Sequence, residues 1–152
     1  MKFTYTVERD DAMRAPWVEH DGHGDVRESM HGDKRPGEVL LHHNGRRHYW
    51  FYDWQAAMKT AKKEGWGIAL DDIDPLFNRL GRPATAGEIR AEAVRKDFEH
   101  LRGWLRDEWS WAYYVIHDEE GNVVDALGGI EGFDEAEKMA KECIAELEKE
   151  RT

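Results

Sequence analysis

The chain has 152 residues, 40% hydrophobic and 11% aromatic, with a formal charge of -10 and seven Trp. That is enough apolar material for a buried core, and it excludes a wholly disordered chain. No run approaches the roughly 20 apolar residues of a membrane-spanning helix, the opening MKFTYTVERDD lacks a signal-peptide core, and the single cysteine, Cys143, excludes an internal disulfide. The expectation is one domain over residues 1–152 in a reducing cytoplasm.

In chain order, residues 2–8 alternate, with Phe3, Tyr5 and Val7 on one side, which predicts a first strand. Residues 9–37 are rich in Gly, Asp and His and predict a long loop, with a short strand at 17–19. Residues 38–43 and 46–52 flank Asn44-Gly45, a hairpin signal, because both central residues of a type I′ turn need positive φ. Asp53 is placed to cap a helix carrying Trp54, Ala57, Met58 and Ala61 at helical spacing. Gly65 ends that helix, and Trp66 folds back on its last turn. Asp74-Pro75 predicts a short helical turn closed by Gly81 and burying Leu76, Phe77 and Leu80.

Thr85 and Glu88 form a capping-box pattern that opens a helix to about Asp107. Its stripe is Ala91, Val94, Phe98, Leu101 and Leu105. The stretch that follows, WSWAYYVIHDEEGNVVDALGGI, organises the chain. Trp109, Trp111, Tyr113 and Val115 fall on one parity and Ala112, Tyr114 and Ile116 on the other, so a strand here offers a bulky face to each side. Gly121 lets the chain reverse, and residues 123–130 return. A second capping pattern at Asp134 opens the last helix, whose stripe is Ala136, Met139, Ala140, Cys143, Ile144 and Leu147. Two hairpins plus an N-terminal strand predict an α+β fold: one antiparallel sheet of about five strands packed by two or three amphipathic helices.

Residues 118–152 hold 12 acids against four bases, so the negative charge gathers at the C-terminal end. A surface of that sign steers toward a basic partner. Asp118, Glu119, Glu120, Glu131, Glu135, Glu142 and Glu146 are the partner-binding candidates. No P-loop, dinucleotide glycine pattern, nucleophile elbow or paired CxxC is present, so no motif fixes a reaction and no cofactor is implied. Cys143 lies on an apolar stripe, where a small hydrophobe is the expected role.

Two other chemistries stay open. His20, His23, Asp25 and His31 could ligate zinc or manganese in a small metal-dependent enzyme or regulator, although their spacing matches no zinc motif. Arg46, Arg47, Tyr49 and Trp50 mix charge for phosphate with rings for stacking, the composition of a nucleic-acid-binding regulator. A chain of net charge -10 opposes that third reading.

The segment DEWSWAYYVIHDEEGNVVDALGGIEGFDEAEKMAKE resembles the C-terminal part of small acidic phage and prophage proteins of unknown function, and WVEHDGHGDV, DKRPGE and EGWG resemble further pieces of them. The resemblance implies a virus-encoded accessory protein in the cytoplasm of an infected bacterium. It carries no catalytic residue. By analogy of size and charge, the partner is a host protein or complex with a basic surface, such as a CRISPR or restriction defence system, and a homodimer is compatible.

Overall fold

A computed structural model describes residues 2–150. Eleven elements follow in chain order: β1 (Thr4–Arg9), α1 (Pro16–Glu19), β2 (Val26–Ser29), β3 (Glu38–His43), β4 (Tyr49–Asp53), α2 (Trp54–Glu64), α3 (Leu70–Leu80), α4 (Ala86–Leu105), β5 (Trp111–His117), β6 (Val123–Glu131) and α5 (Phe133–Glu150). The fold is α+β, but the single sheet of about five strands is corrected to two three-stranded antiparallel sheets, ordered β1-β5-β6 and β2-β4-β3. The N-terminal strand pairs with the second hairpin, and the first hairpin gains β2 instead. The chain divides into two units, residues 1–15 with 107–152, and residues 16–106.

In the first unit β1 runs antiparallel to β5, from Thr4 opposite His117 to Arg9 opposite Ala112. The second hairpin forms as its parity predicts: β5 pairs with β6 from Trp111 opposite Glu131 to His117 opposite Val123, with two register shifts. Helix α5 covers one sheet face. Ala136 and Ala140 are fully buried beside Ala112, Tyr114, Ile116, Phe3 and Ile130, and Met139, Cys143, Ile144 and Leu147 pack around them. Alanines at the centre of that stripe let the helix backbone approach the sheet closely. The helix starts two residues earlier than the Asp134 cap predicts, because the Gly132 carbonyl already accepts from the Ala136 N–H at 3.1 Å.

The second unit packs α2 and α4 around Leu41, Tyr52, Ala57, Ala61, Val94, Phe98 and Leu101. Asp53 caps α2 through Ala56 N–H, and Gly65 closes it at φ 69°. Thr85 and Glu88 form the capping box of α4 in both directions. Helix α4 ends at Leu105, and Asp107 takes the left-handed φ of 58°, which short polar side chains tolerate.

Four local expectations are corrected. Residues 17–19 lie in the helical turn α1, not in a strand. Strand β2 lies inside the predicted loop; its Arg27 spreads over the Phe51 ring at 4.9 Å and pairs with Glu38, which hides the strand behind charged residues. Asn44-Gly45 sits in a five-residue loop closed by Asn44 N–H to the His48 carbonyl at 3.3 Å, and Gly45 alone of the pair has positive φ. Helix α3 starts at Leu70, so Pro75 is inside it rather than at its first position, and Phe77 is 44% exposed rather than buried.

Candidate functional site

The first unit carries a pocket of about 520 Å³ at the end of the β5–β6 hairpin opposite its turn. Asp107, Glu108, Trp109 and Ser110 line it from the approach to β5; Glu131, Gly132, Phe133, Asp134 and Glu135 line it from the β6–α5 junction. The two segments are tied by the Gly132 N–H, which donates to the Ser110 carbonyl at 2.9 Å. Gly132 has φ 97°, a conformation glycine adopts without strain, and this turns the chain from strand into helix.

The aromatic wall is supported from below. Trp111 is 2% exposed, and its indole N–H donates to the Arg14 carbonyl at 2.8 Å. Trp109 meets Trp111 edge to face at 5.4 Å. Phe133, 47% exposed, completes the apolar lining. The lining thus holds five carboxylates, two aromatic rings and no Lys, Arg or His. An ammonium or guanidinium fits such a site: carboxylates neutralise it and a ring adds cation–π attraction. Asp134 and Glu135 also sit in the first turn of α5, where the helix dipole favours negative charge.

The other acidic candidates fall elsewhere. Asp118, Glu119 and Glu120 occupy the β5–β6 turn, roughly 20 Å along the hairpin at the ~3.3 Å rise of a strand residue. There Asp118 accepts from the Glu120 and Asn122 N–H groups, and Glu119 accepts from the Lys2 N–H. Glu142 and Glu146 are exposed on later turns of α5. The structure therefore brings Glu131 and Glu135 together and separates them from the rest. Asp107, Glu108 and Asp134 join them; the helical pattern of α4 continues to about Asp107, and nothing local signals that this acid leaves the helix.

The His-rich loop does not assemble as ligands. His23 Nδ1 lies 2.6 Å from Asp97 Oδ1, while Asp97 Oδ2 accepts from the Gly24 N–H and the Tyr52 hydroxyl, each at 2.8 Å. His20, Asp25 and His31 are exposed. Among the described residues no three His, Cys, Asp or Glu side chains gather as a metal-binding group. The Cys143 thiol is pushed up by burial and by its hydrogen bond to Asp125, against thiolate reactivity.

Of the nucleic-acid candidates, Arg46 and Arg47 are exposed in the β3–β4 loop. Tyr49 is covered by the His43 ring at 4.0 Å, and the Gly32 backbone lies against it. Trp50 is stacked by His48 at 3.8 Å and packs on the core. Among the described residues no helix is long and apolar enough to cross a membrane.

No family model, curated protein or solved structure matches the chain.

Proposed function

We propose that this chain is a phage accessory protein that acts by binding, and that the acidic pocket of its first unit grips a basic side chain on a host defence protein. One observation carries the reading: five acidic residues line, with Trp109 and Phe133, a pocket of about 520 Å³ whose lining includes no Lys, Arg or His. The charge division supports it. Residues 1–15 and 107–152 hold 17 acids and seven bases, so the whole net charge of -10 falls on this unit, and residues 16–106 hold 15 of each. Such a field speeds encounter with a basic patch, and the aromatic wall supplies the apolar area that a rim of charges lacks. The phage-like pattern and the lack of a reaction motif in the sequence fit a binder acting on a CRISPR or restriction complex.

The experiment uses the tagged full chain as bait in a bacterial lysate, beside the variant Glu131→Lys/Glu135→Lys. The wild type is expected to capture a basic protein that salt releases, and to protect phage in a host carrying the matching defence. The variant is expected to do neither. Full capture and full protection by the variant would sink the acidic-pocket reading.

A further inference from the structure

The second unit bears a surface of opposite character. The β3–β4 loop presents Arg46 and Arg47, both exposed. Helix α4 brings its C-terminal end to the same strand pair: Arg102 donates from Nε to the Leu41 carbonyl at 2.8 Å and from Nη2 to the Leu40 carbonyl at 3.0 Å. Arg106 follows one turn later as the exposed cap residue. Three imidazoles belong to the same hairpin end: His42 and His48 pack on the Trp50 ring, and His43 stacks on Tyr49 with its Nε2 against the Arg46 carbonyl. Among the described residues no carboxylate pairs with Arg46, Arg47 or Arg106. The nearby Glu28 is taken by His48, at 3.0 Å.

Five other cations of this unit are spent on ion pairs. Arg27, Arg79, Arg82, Arg95 and Lys96 each hold a carboxylate. At the hairpin end, by contrast, Arg46, Arg47 and Arg106 leave positive charge exposed to solvent. His42 feels it: burial, then Arg106 and Arg102, hold its imidazole below the ordinary range. The objection that a chain of -10 repels polyanions weakens here, since residues 16–106 are neutral in sum and screening in physiological salt acts within about 8 Å.

We infer that the hairpin end formed by Arg46, Arg47 and Arg106 binds the phosphodiester backbone of nucleic acid. Guanidinium forks match phosphate oxygens and remain charged at every working pH. The recognition is by backbone and not by base, because the rings that would stack on bases are already covered: Tyr49 by His43 and Gly32, Trp50 by His48. Binding is therefore indifferent to sequence and steep in salt. Three phosphate contacts predict a fall of roughly 40-fold in duplex affinity between 50 and 200 mM salt.

The test is fluorescence anisotropy with a labelled 20-base-pair duplex of mixed sequence and its single strand. The protein is the full chain, as wild type, Arg46→Glu/Arg47→Glu and Glu131→Lys/Glu135→Lys. Among the described residues Arg46 and Arg47 make no side-chain bond, so the first variant keeps its thermal unfolding curve, which is measured alongside. The expected result is micromolar duplex binding by the wild type at 50 mM salt and at least tenfold weaker binding by the arginine variant. The salt slope of that variant is shallower by about two counterions. The acidic-pocket variant binds DNA at least as well as the wild type, which separates this proposal from the pocket reading. Absence of binding by the wild type, unchanged binding by the arginine variant, or equal competition by polyglutamate would each overturn the proposal.

Discussion

The Tyr52 hydroxyl donates to Asp97 Oδ2 across 2.8 Å, and the same carboxylate holds the Gly24 N–H and His23 Nδ1. Tyr52 is fully buried, and Asp97 is the acceptor that lets its phenol leave water. Burial first, and then the Asp97 charge, push the Tyr52 phenol far up, beyond the range in which the fold is titrated. Asp97→Ala removes the acceptor and strands a buried hydroxyl and a backbone N–H. The expected loss is about 2–4 kcal/mol in urea unfolding, with Tyr52→Phe costing less, about 1 kcal/mol, since it removes donor and need together. Equal losses from the two substitutions would show that Asp97 is not the shared acceptor.

Gly24 packs against the same ring from the backbone side. A Cβ built there comes within 2.4 Å of Tyr52 Cζ, and the ring is enclosed. Gly24→Ala is expected to destabilise by about 3 kcal/mol or more, because the enclosed ring has no room to move aside. Gly45→Ala makes the contrast. It sits at φ 79° with open space around its Cβ, so only backbone strain of about 1 kcal/mol applies. Thermal melts of the two variants should rank in that order by a wide margin; near-equal midpoints would contradict the close approach at residue 24.

A buried acid on α4 makes stability depend on pH. Glu92 is 6% exposed and accepts from Arg95, one turn on, and from Arg79 of α3 at 2.7 Å. Hydrogen bonds from Arg95 and then Arg79 hold its carboxyl down, from an ordinary 4.5 to about 2. The folded value lies below the unfolded one, so the charged carboxylate stabilises the fold above about pH 5. That stabilisation is lost as the pH falls toward 2. The arginines are partly in water, which reduces its size to about 1–2 kcal/mol. The urea midpoint of the wild type is expected to fall between pH 5 and pH 2 by more than that of Glu92→Gln. Parallel falls in the two proteins would remove Glu92 as a source of acid sensitivity.

Local chemistry was legible in the sequence, and long-range pairing was not. The Asp53 cap with the Gly65 terminus, the Thr85 and Glu88 box, and the α5 stripe from Ala136 to Leu147 each depend on residues within one or two helical turns. The alternation of Ala112, Tyr114 and Ile116 likewise declares its own buried face. Strand β2 was hidden because Arg27 and Glu38 satisfy each other over Phe51, so a covered sheet position reads as polar. The split into two sheets rests on which strand β1 chooses, a pairing across more than a hundred residues that no local pattern encodes. The pocket shows the same limit. Glu131 and Glu135 were visible as acids, but their meeting with Glu108 depends on the Gly132 to Ser110 hydrogen bond and on Asp107 turning left-handed.

The tryptophan pair beneath the pocket gives a last prediction. Trp111 bridges the N-terminal segment, through its bond to the Arg14 carbonyl, and the pocket wall, through its edge contact with Trp109. Trp111→Phe keeps a ring of reduced size and deletes the N–H donor. The expected cost is about 1–2 kcal/mol in urea unfolding. Trp111→Ala also opens a cavity and should cost about 3–5 kcal/mol. With 5-fluorotryptophan incorporated, the Trp109 resonance can be assigned by its disappearance in Trp109→Phe. It should move in Trp111→Phe, because the ring that fixes its environment has changed. An unmoved Trp109 resonance, together with unaltered stability, would mean that Trp111 does not support the pocket wall.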